Sequence, residues 1–464
     1  ADGEARAARP KNITFVVDVS GSMAGDKIEQ VRAALLQVIG ALNAGDRFNV
    51  ITYHSAVIPL WDAPRPFTDE NRKEALEFVR AIKALGGTNI EGALTAALSV
   101  PVPSDMASAI VFLTDGRPTV GIDDPDEIVA RVAKANAAKG VRIFAFGVGV
   151  DVNTVLLDRL AVDNHGSPAY VRPTEDVEPK VASLYQKIRY PVLTDLRLDL
   201  AGIRATEVLP GVVPDLFRGG QVVIAGRYAK GGRSEMVLAG KDGAVTREYH
   251  YVLSAAEAGR GITSDFPARV WATRRIAELL DAIRLKKSQD KELVDEIVRL
   301  STRFGILTEY TSFLADDGVD LARVAENVTR TRAALEELGE KDAGGAGFAQ
   351  GANQTARRGA DRAPAAPAFY LGAKGDRDVD SYLIEGVRQV ANRTFYRRGD
   401  GWVDVKVADL ARLEEKVQEI VVRWSPRFFE LLKSTSADEN ARLAQAGPLV
   451  LELQGRVVRI VDGA

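Results

Sequence analysis

Along residues 12–190, short apolar runs alternate with amphipathic stretches, the pattern of a wound α/β sheet. Ile13–Val17, Arg47–Tyr53, Ala109–Thr114 and Val141–Val148 are rich in β-branched residues and bounded by turn signals, which predicts buried strands. Val57–Leu60 follows Arg47–Tyr53 after a very short turn, so it is expected to pair antiparallel at an edge. Between the strands, Ile28, Val31, Leu35, Val38, Ile39 and Leu42 form one stripe at helical spacing. Thr68 is placed to cap a second helix that turns Leu76, Val79 and Ile82 inward. Asp124, Pro125 and Gly140 bracket another, with cap, first-turn proline and terminal glycine in the expected order.

Beyond residue 190 the pattern changes. Over 191–255, Leu196–Leu200, Gln221–Ala225, Ser234–Leu238 and Arg247–Val252 alternate apolar and polar residues between glycine-rich turns, predicting a small antiparallel β-sandwich. Residues 256–340 form a helical segment, with helices expected over 267–304 and 319–340. Residues 341–368 are rich in Gly, Ala, Gln, Arg and Pro, offer little to bury, and are expected to be a mobile linker. Residues 369–464 are expected to be an α+β module with Trp402 and Trp424 in its core, ending in a hairpin of Leu449–Leu453 and Val457–Val461.

Composition narrows the chemistry. Sixty-one Lys and Arg face 64 Asp and Glu, a formal net charge of -3, which argues against general affinity for nucleic acid or anionic membrane. No apolar run reaches the length of a bilayer span. With no cysteine, disulfides, thiolate zinc sites and thiol catalysis are excluded, and three histidines (His54, His165, His250) leave little for imidazole chemistry. The chain opens at Ala1 without a methionine or a signal-like apolar segment, so a processed or excised segment is expected.

One constellation carries chemistry. The first strand runs into Asp18-Val19-Ser20-Gly21-Ser22, directly before the first amphipathic helix. Ligands of open α/β sheets bind outside the carboxyl ends of the strands. One carboxylate and two hydroxyls make a hard oxygen set, suited to Mg2+ or Mn2+ and poor for zinc. Gly86-Gly87-Thr88-Asn89 adds a hydroxyl at a helix start, and Ile110–Thr114 ends in Asp115-Gly116, a second carboxylate at the same sheet edge. Alternatively, Asp18, Ser20 and Ser22 could merely cap the first helix, and Asp115-Gly116 could be an ordinary turn.

D-x-S-x-S after the first strand, G-G-T in the middle and T-D-G after a central strand resemble the metal-ion-dependent adhesion site of von Willebrand factor type A domains, over roughly residues 10–190. The resemblance implies a Rossmann-like wound sheet in residues 1–190. It also implies a Mg2+ or Mn2+ ion held by Asp18, Ser20, Ser22, Thr88 and Asp115, and a partner protein that offers an acidic side chain to the ion. Leu300–Phe313 resembles the segment after the A domain in inter-alpha-trypsin inhibitor heavy chains and their bacterial relatives, and Val390–Phe395 with Arg423–Pro426 resembles the tail of the bacterial ones. Those proteins usually carry a further domain ahead of the A domain, so this chain is expected to be truncated, and an extracytoplasmic setting is expected with no partner specified. Two other functions compete. A haloacid-dehalogenase-type phosphatase needs an acid two positions after its nucleophile, where Ser20 stands. An intracellular assembly factor beside an ATPase stays open, while a P-loop enzyme is excluded for want of its motif.

Overall fold

The computed structural model describes residues 9–229, 231–255, 265–286, 290–316, 318–339, 341–361, 368–372, 379–383, 386–391, 393–408 and 413–463. The chain divides into two compact units, Ala1–Ala256 with Asp342–Thr355 and Gly372–Val379, and Glu257–Lys341 with Ala356–Leu371 and Asp380–Ala464.

In the first unit, β1 (Lys11–Asp18), β2 (Arg47–Tyr53), β3 (Val57–Pro59), β4 (Arg65–Pro66), β5 (Ala107–Thr114), β6 (Arg142–Val148) and β7 (Pro168–Val171) form one sheet. Its order is β3-β2-β1-β5-β6-β7, with β4 also on β2. β1, β2, β5, β6 and β7 pair parallel, whereas β3 and β4 pair antiparallel to β2. The edge position expected for Val57 onward is the one observed. The helices are α1 (Asp26–Gly40), α2 (Asp69–Arg80), α3 (Ile90–Ser99), α4 (Pro125–Asn136), α5 (Thr154–Val162) and α6 (Val177–Ile188). Their local chemistry explains their starts: the Thr68 side chain accepts from Asn71 N, and Asp124 accepts from Glu127 N ahead of Pro125. The α1 stripe from Ile28 to Leu42 is buried against Phe15, Val17 and Val50 in one core. Fully burying one such side chain contributes about 1.5–3 kcal/mol, so this stripe fixes how α1, and the loop before it, sits on the sheet.

Residues 191–255 form a curled antiparallel sheet from β8 (Pro191–Asp199), β10 (Leu216–Phe217), β12 (Gly232–Asp242) and β13 (Val245–Ala255), ordered β10-β8-β12-β13. β9 (Ala205–Leu209) and β11 (Ala225–Tyr228) pair separately. The strand expected at Gln221–Ala225 begins only at Ala225. Val222 and Ile224 instead line an apolar cavity as irregular chain, after Gly219 turns at φ +75°.

The second unit contains α7 (Asp265–Lys286), α8 (Lys291–Phe304) and α9 (Val324–Gly339). Its tail sheet is built from β16 (Val387–Val390), β17 (Arg393–Arg398), β18 (Gly401–Asp404), β19 (Glu419–Val422), β20 (Leu449–Leu453) and β21 (Arg456–Val461), following the short pair β14 (Ala368–Gly372) and β15 (Val379–Leu383). Short helices α11 (Val405–Ala408), α12 (Leu413–Lys416), α13 (Pro426–Ser434) and α14 (Ala437–Leu443) accompany it. Trp402 is buried as expected, but Trp424 is 65% exposed. Its backbone takes φ +65° at the turn after the edge strand β19, which leaves the indole on the surface against Phe428 and Phe429.

The linker expected over 341–368 is not what the structure shows: Gly344–Arg358 is a helix, α10; residues 362–367 lie outside the described residues. Two features account for it. Its Ala, Gln and Arg residues favour helix, and one face is buried, with Phe348, Ala349, Gln350, Asn353, Gln354 and Arg357 all nearly inaccessible. Phe348 is 1% exposed and meets Tyr170 edge-to-face at 5.8 Å. Gly351 lets the backbone approach that ring so closely that a Cβ would stand 2.9 Å from it. Arg357 and Arg358, expected to be solvated, pair with Glu309 and Asp281. Phe348→Ala is therefore expected to lower the stability of the first unit by about 3 kcal/mol, read from urea unfolding. An unchanged midpoint would show that the segment is not docked.

Candidate metal centre

The chain runs from β1 to β2 on one side, then crosses to β5 on the other side of β1. β1 and β5 are thus the switch point of the sheet, where a crevice opens at the carboxyl ends of the strands. The register pairs Val17 with Leu113, which puts Asp18 and Asp115 beyond the same edge.

Asp18 is fully buried, and Asp115 is 1% exposed. One Asp18 oxygen accepts from Ser20 N at 2.8 Å, and the other from Thr114 Oγ1 at 2.7 Å. Burial pushes the Asp18 carboxyl above its ordinary range. The hydrogen bonds from Ser20 and Thr114 oppose that shift, and the nearby Asp115 charge adds to it. The same surroundings, burial first and the Asp18 charge second, push the Tyr53 hydroxyl well above its usual value. Ser20 Oγ and Ser22 Oγ are 3.0 Å apart, and Ser22 Oγ donates to Asp115 Oδ1 at 2.7 Å. Thr88 is buried, and its Oγ1, like Ser22 Oγ, lies within 4 Å of where a Gly116 side chain would begin. Asp18, Ser20, Ser22 and Asp115 are thereby joined in one run of hydrogen bonds, and Thr88 stands beside Gly116 at its margin.

The capping alternative fails locally. Gly25 is the N-cap of α1, and neither it nor Ser20, which precedes the short turn at Gly21–Met23, caps through a side chain. The hydroxyls are directed across the crevice instead. Backbone bonds hold the Thr88 loop: Gly21 N donates to Gly86 O, Leu85 N to Val19 O, and Asn89 N to His54 O. Thr88 N donates to Thr119 Oγ1, and a Cβ on Gly87 would come within 2.7 Å of Val120. A side chain at position 87 would therefore press on Val120 and on the Thr119 hydroxyl that accepts from Thr88 N.

Three further participants are not among the five residues singled out from the sequence. Lys27 Nζ donates to Asp115 Oδ2 at 2.6 Å, so the second carboxylate already has a cationic neighbour. Being a first-turn residue of α1 five positions past Ser22 is the only sequence signal Lys27 carries. Thr114 opens the T-D-G motif, but that its hydroxyl serves Asp18 across the sheet shows only once β1 and β5 are paired. Asp342, in the segment expected to be a linker, accepts from Arg117, two residues past Asp115, and from Asn153. That tie links the Asp115 loop to the start of α10.

The donor set can be tested against a divalent ion. Among the described residues there is no group of three or more His, Asp or Glu, so a nitrogen-rich or carboxylate-rich cage is not present there. Two carboxylates and three hydroxyls are hard oxygens that suit a small ion keeping some of its waters. Adjacent ligands of an octahedral ion with bonds of about 2.1 Å lie about 3.0 Å apart, close to the observed Ser20–Ser22 and Ser22–Asp115 spacings. The residues fit a Mg2+-type ion. Thr114→Val removes the donor to a buried carboxylate and is expected to cost about 1–3 kcal/mol in urea unfolding, with Thr114→Ser retaining most of it. Equal stability of the valine variant and the wild type would refute this view of Asp18.

Comparison with known proteins identifies the family of the first unit's domain. The sequence profile of the von Willebrand factor type A domain matches residues 11–168. Human inter-alpha-trypsin inhibitor heavy chain H4 is 30% identical over 336 residues, covering 68% of this chain and 36% of that protein. Human heavy chain H6 is 29% identical over 330 residues, covering 66% and 25%. The chain thus spans about a third or less of the length of these relatives. Among solved structures, a von Willebrand factor type A protein from Catenulispora acidiphila is similar at 17% identity and a TM-score of 0.45, over 64% of this chain and 80% of that one. Domains of this kind are typically non-catalytic protein-interaction modules. The chain is a von Willebrand factor type A-domain protein, related at low identity to the inter-alpha-trypsin inhibitor heavy chains.

Proposed function

We propose that the first unit is a metal-dependent protein-binding module. Asp18, Ser20, Ser22, Thr88 and Asp115 hold one Mg2+ or Mn2+ ion, directly or through water, and the ion captures an acidic side chain of a partner protein. The observation that supports this reading is the run of hydroxyl and carboxylate oxygens from Ser20 through Ser22 to Asp115, at 3.0 and 2.7 Å, at the switch point of the sheet.

Charge gives the mechanism. Asp18 and Asp115 supply two negative charges, and Lys27 returns one positive charge to Asp115. A divalent ion then leaves the centre net positive by one, so a partner carboxylate meets an attractive site. The ion supplies an open coordination position. Ser22, which is exposed while Ser20 and Asp18 are buried, marks the side from which the partner approaches. Phosphatase chemistry finds no support, because position 20 carries a hydroxyl where a proton donor is needed.

Calorimetric titration with Mg2+ tests the reading on variants that leave the buried carboxylate in place. Ser22→Ala is expected to weaken binding about tenfold, the equivalent of about 1.4 kcal/mol. Lys27→Met is expected to tighten it, because the ion no longer competes with an ammonium for Asp115. Unchanged affinity in Ser22→Ala would remove the metal from this site. Weaker binding in Lys27→Met would overturn the charge argument while leaving the site standing.

A further inference from the structure

The second unit contains a cavity that the type A domain does not explain. It has a volume of about 740 Å3, and its lining includes Arg269 of α7, Arg299 and Arg303 of α8, Arg393 of β17 and Lys406 of α11. Glu452 of β20 is the acidic residue of that lining. Two of the cations are engaged elsewhere. Arg393 donates to both oxygens of the buried Asp404, at 3.1 and 3.3 Å, and Arg269 takes part in other interactions.

The remaining three, Arg299, Arg303 and Lys406, make no ion pair among the described residues, although Arg303 lies over the Phe304 ring of the same lining, 5.4 Å from its centroid, a contact that leaves its charge uncompensated. Arg299 and Arg303 are four apart on α8, so they share a face one turn apart, where like charges destabilise a helix. The apolar stripe of α8, with Val294, Ile297, Val298 and Leu300 buried, turns that charged face away from the core. One bland explanation is that these arginines complement the helix dipole, because α8 ends at Phe304. A helix C-terminus carries only about half a negative charge. Adding Glu452 still leaves the three cations in excess by more than one charge.

The geometry points to a binding site for a multivalent oxyanion, specifically the phosphate group of a small molecule. Three side-chain cations drawn from α8 and α11 can each donate a charge-assisted hydrogen bond to one phosphate. The cavity is of the size that encloses a small organic ligand. A polyanionic chain would need a charged track, whereas the charges here are gathered at one cavity. This site shares no residue with the metal centre, so its fate is independent of the function proposed above.

Calorimetric titration of the full chain with inorganic pyrophosphate, in metal-free buffer of low ionic strength, tests it. Binding is expected to weaken about tenfold in Arg303→Gln and about a hundredfold in Arg299→Gln/Arg303→Gln, and to weaken as salt is raised. Both arginines are exposed, so thermal unfolding of these variants should match the wild type, and Lys406→Gln gives an independent third reading with the same tenfold loss. Asp18→Asn should bind pyrophosphate like the wild type. No heat from the wild type at millimolar pyrophosphate, or full affinity in the double variant, would overturn the proposal. Binding of heparin without binding of pyrophosphate would replace the compact ligand by a polyanionic chain, and so overturn it as well.

Discussion

Two carboxylates buried at neighbouring strand ends set the terms for the first unit. Removing a charge from water costs several kcal/mol, and a second like charge close by raises that cost. Asp18 meets it with Ser20 N and Thr114 Oγ1, and Asp115 with Ser22 Oγ and Lys27. Hydrogen bonds to a charged group contribute about 1.5–3 kcal/mol each. They offset much of the burial, but the upward push on the Asp18 carboxyl shows that burial still outweighs them. A centre so arranged is folded and yet short of positive charge, which is the condition under which an ion and then a partner carboxylate can be added.

The sheet topology supplies the rest of the arrangement. Crossing from one side of β1 to the other brings three loops to one crevice. The α1 stripe seats the Ser20–Ser22 loop, and backbone bonds from Gly21 and Asn89 seat the Thr88 loop. Asp342 reaches the Asp115 loop through Arg117, although it lies more than two hundred residues away along the chain. The hydroxyls and carboxylates are therefore positioned by the packing and backbone hydrogen bonds of the elements that carry them.

The wound sheet was legible because its strands are continuous apolar runs and its helices carry full stripes, as from Ile28 to Leu42. The five oxygen-bearing residues could be singled out because their spacing is local within each motif. What escaped was whatever depends on long-range packing. Lys27 looks like any first-turn lysine until β5 brings Asp115 beside it. The helix at Gly344–Arg358 was hidden because most of what it buries beside Phe348 and Gly351 is polar, Gln350, Asn353, Gln354 and Arg357, and so creates no apolar stripe. Trp424 misled for the opposite reason: its size suggested a core position, whereas its turn conformation holds it outside.

The central claim is that these oxygens hold a divalent ion, and anomalous diffraction from crystals grown with Mn2+ tests it most directly. The account predicts one strong anomalous peak in the crevice, within bonding distance of the Ser20 and Ser22 hydroxyls and close to Thr88 and Asp115, and no such peak in Ser22→Ala crystals. A Mn2+ peak elsewhere on the chain, with the crevice empty, would contradict it.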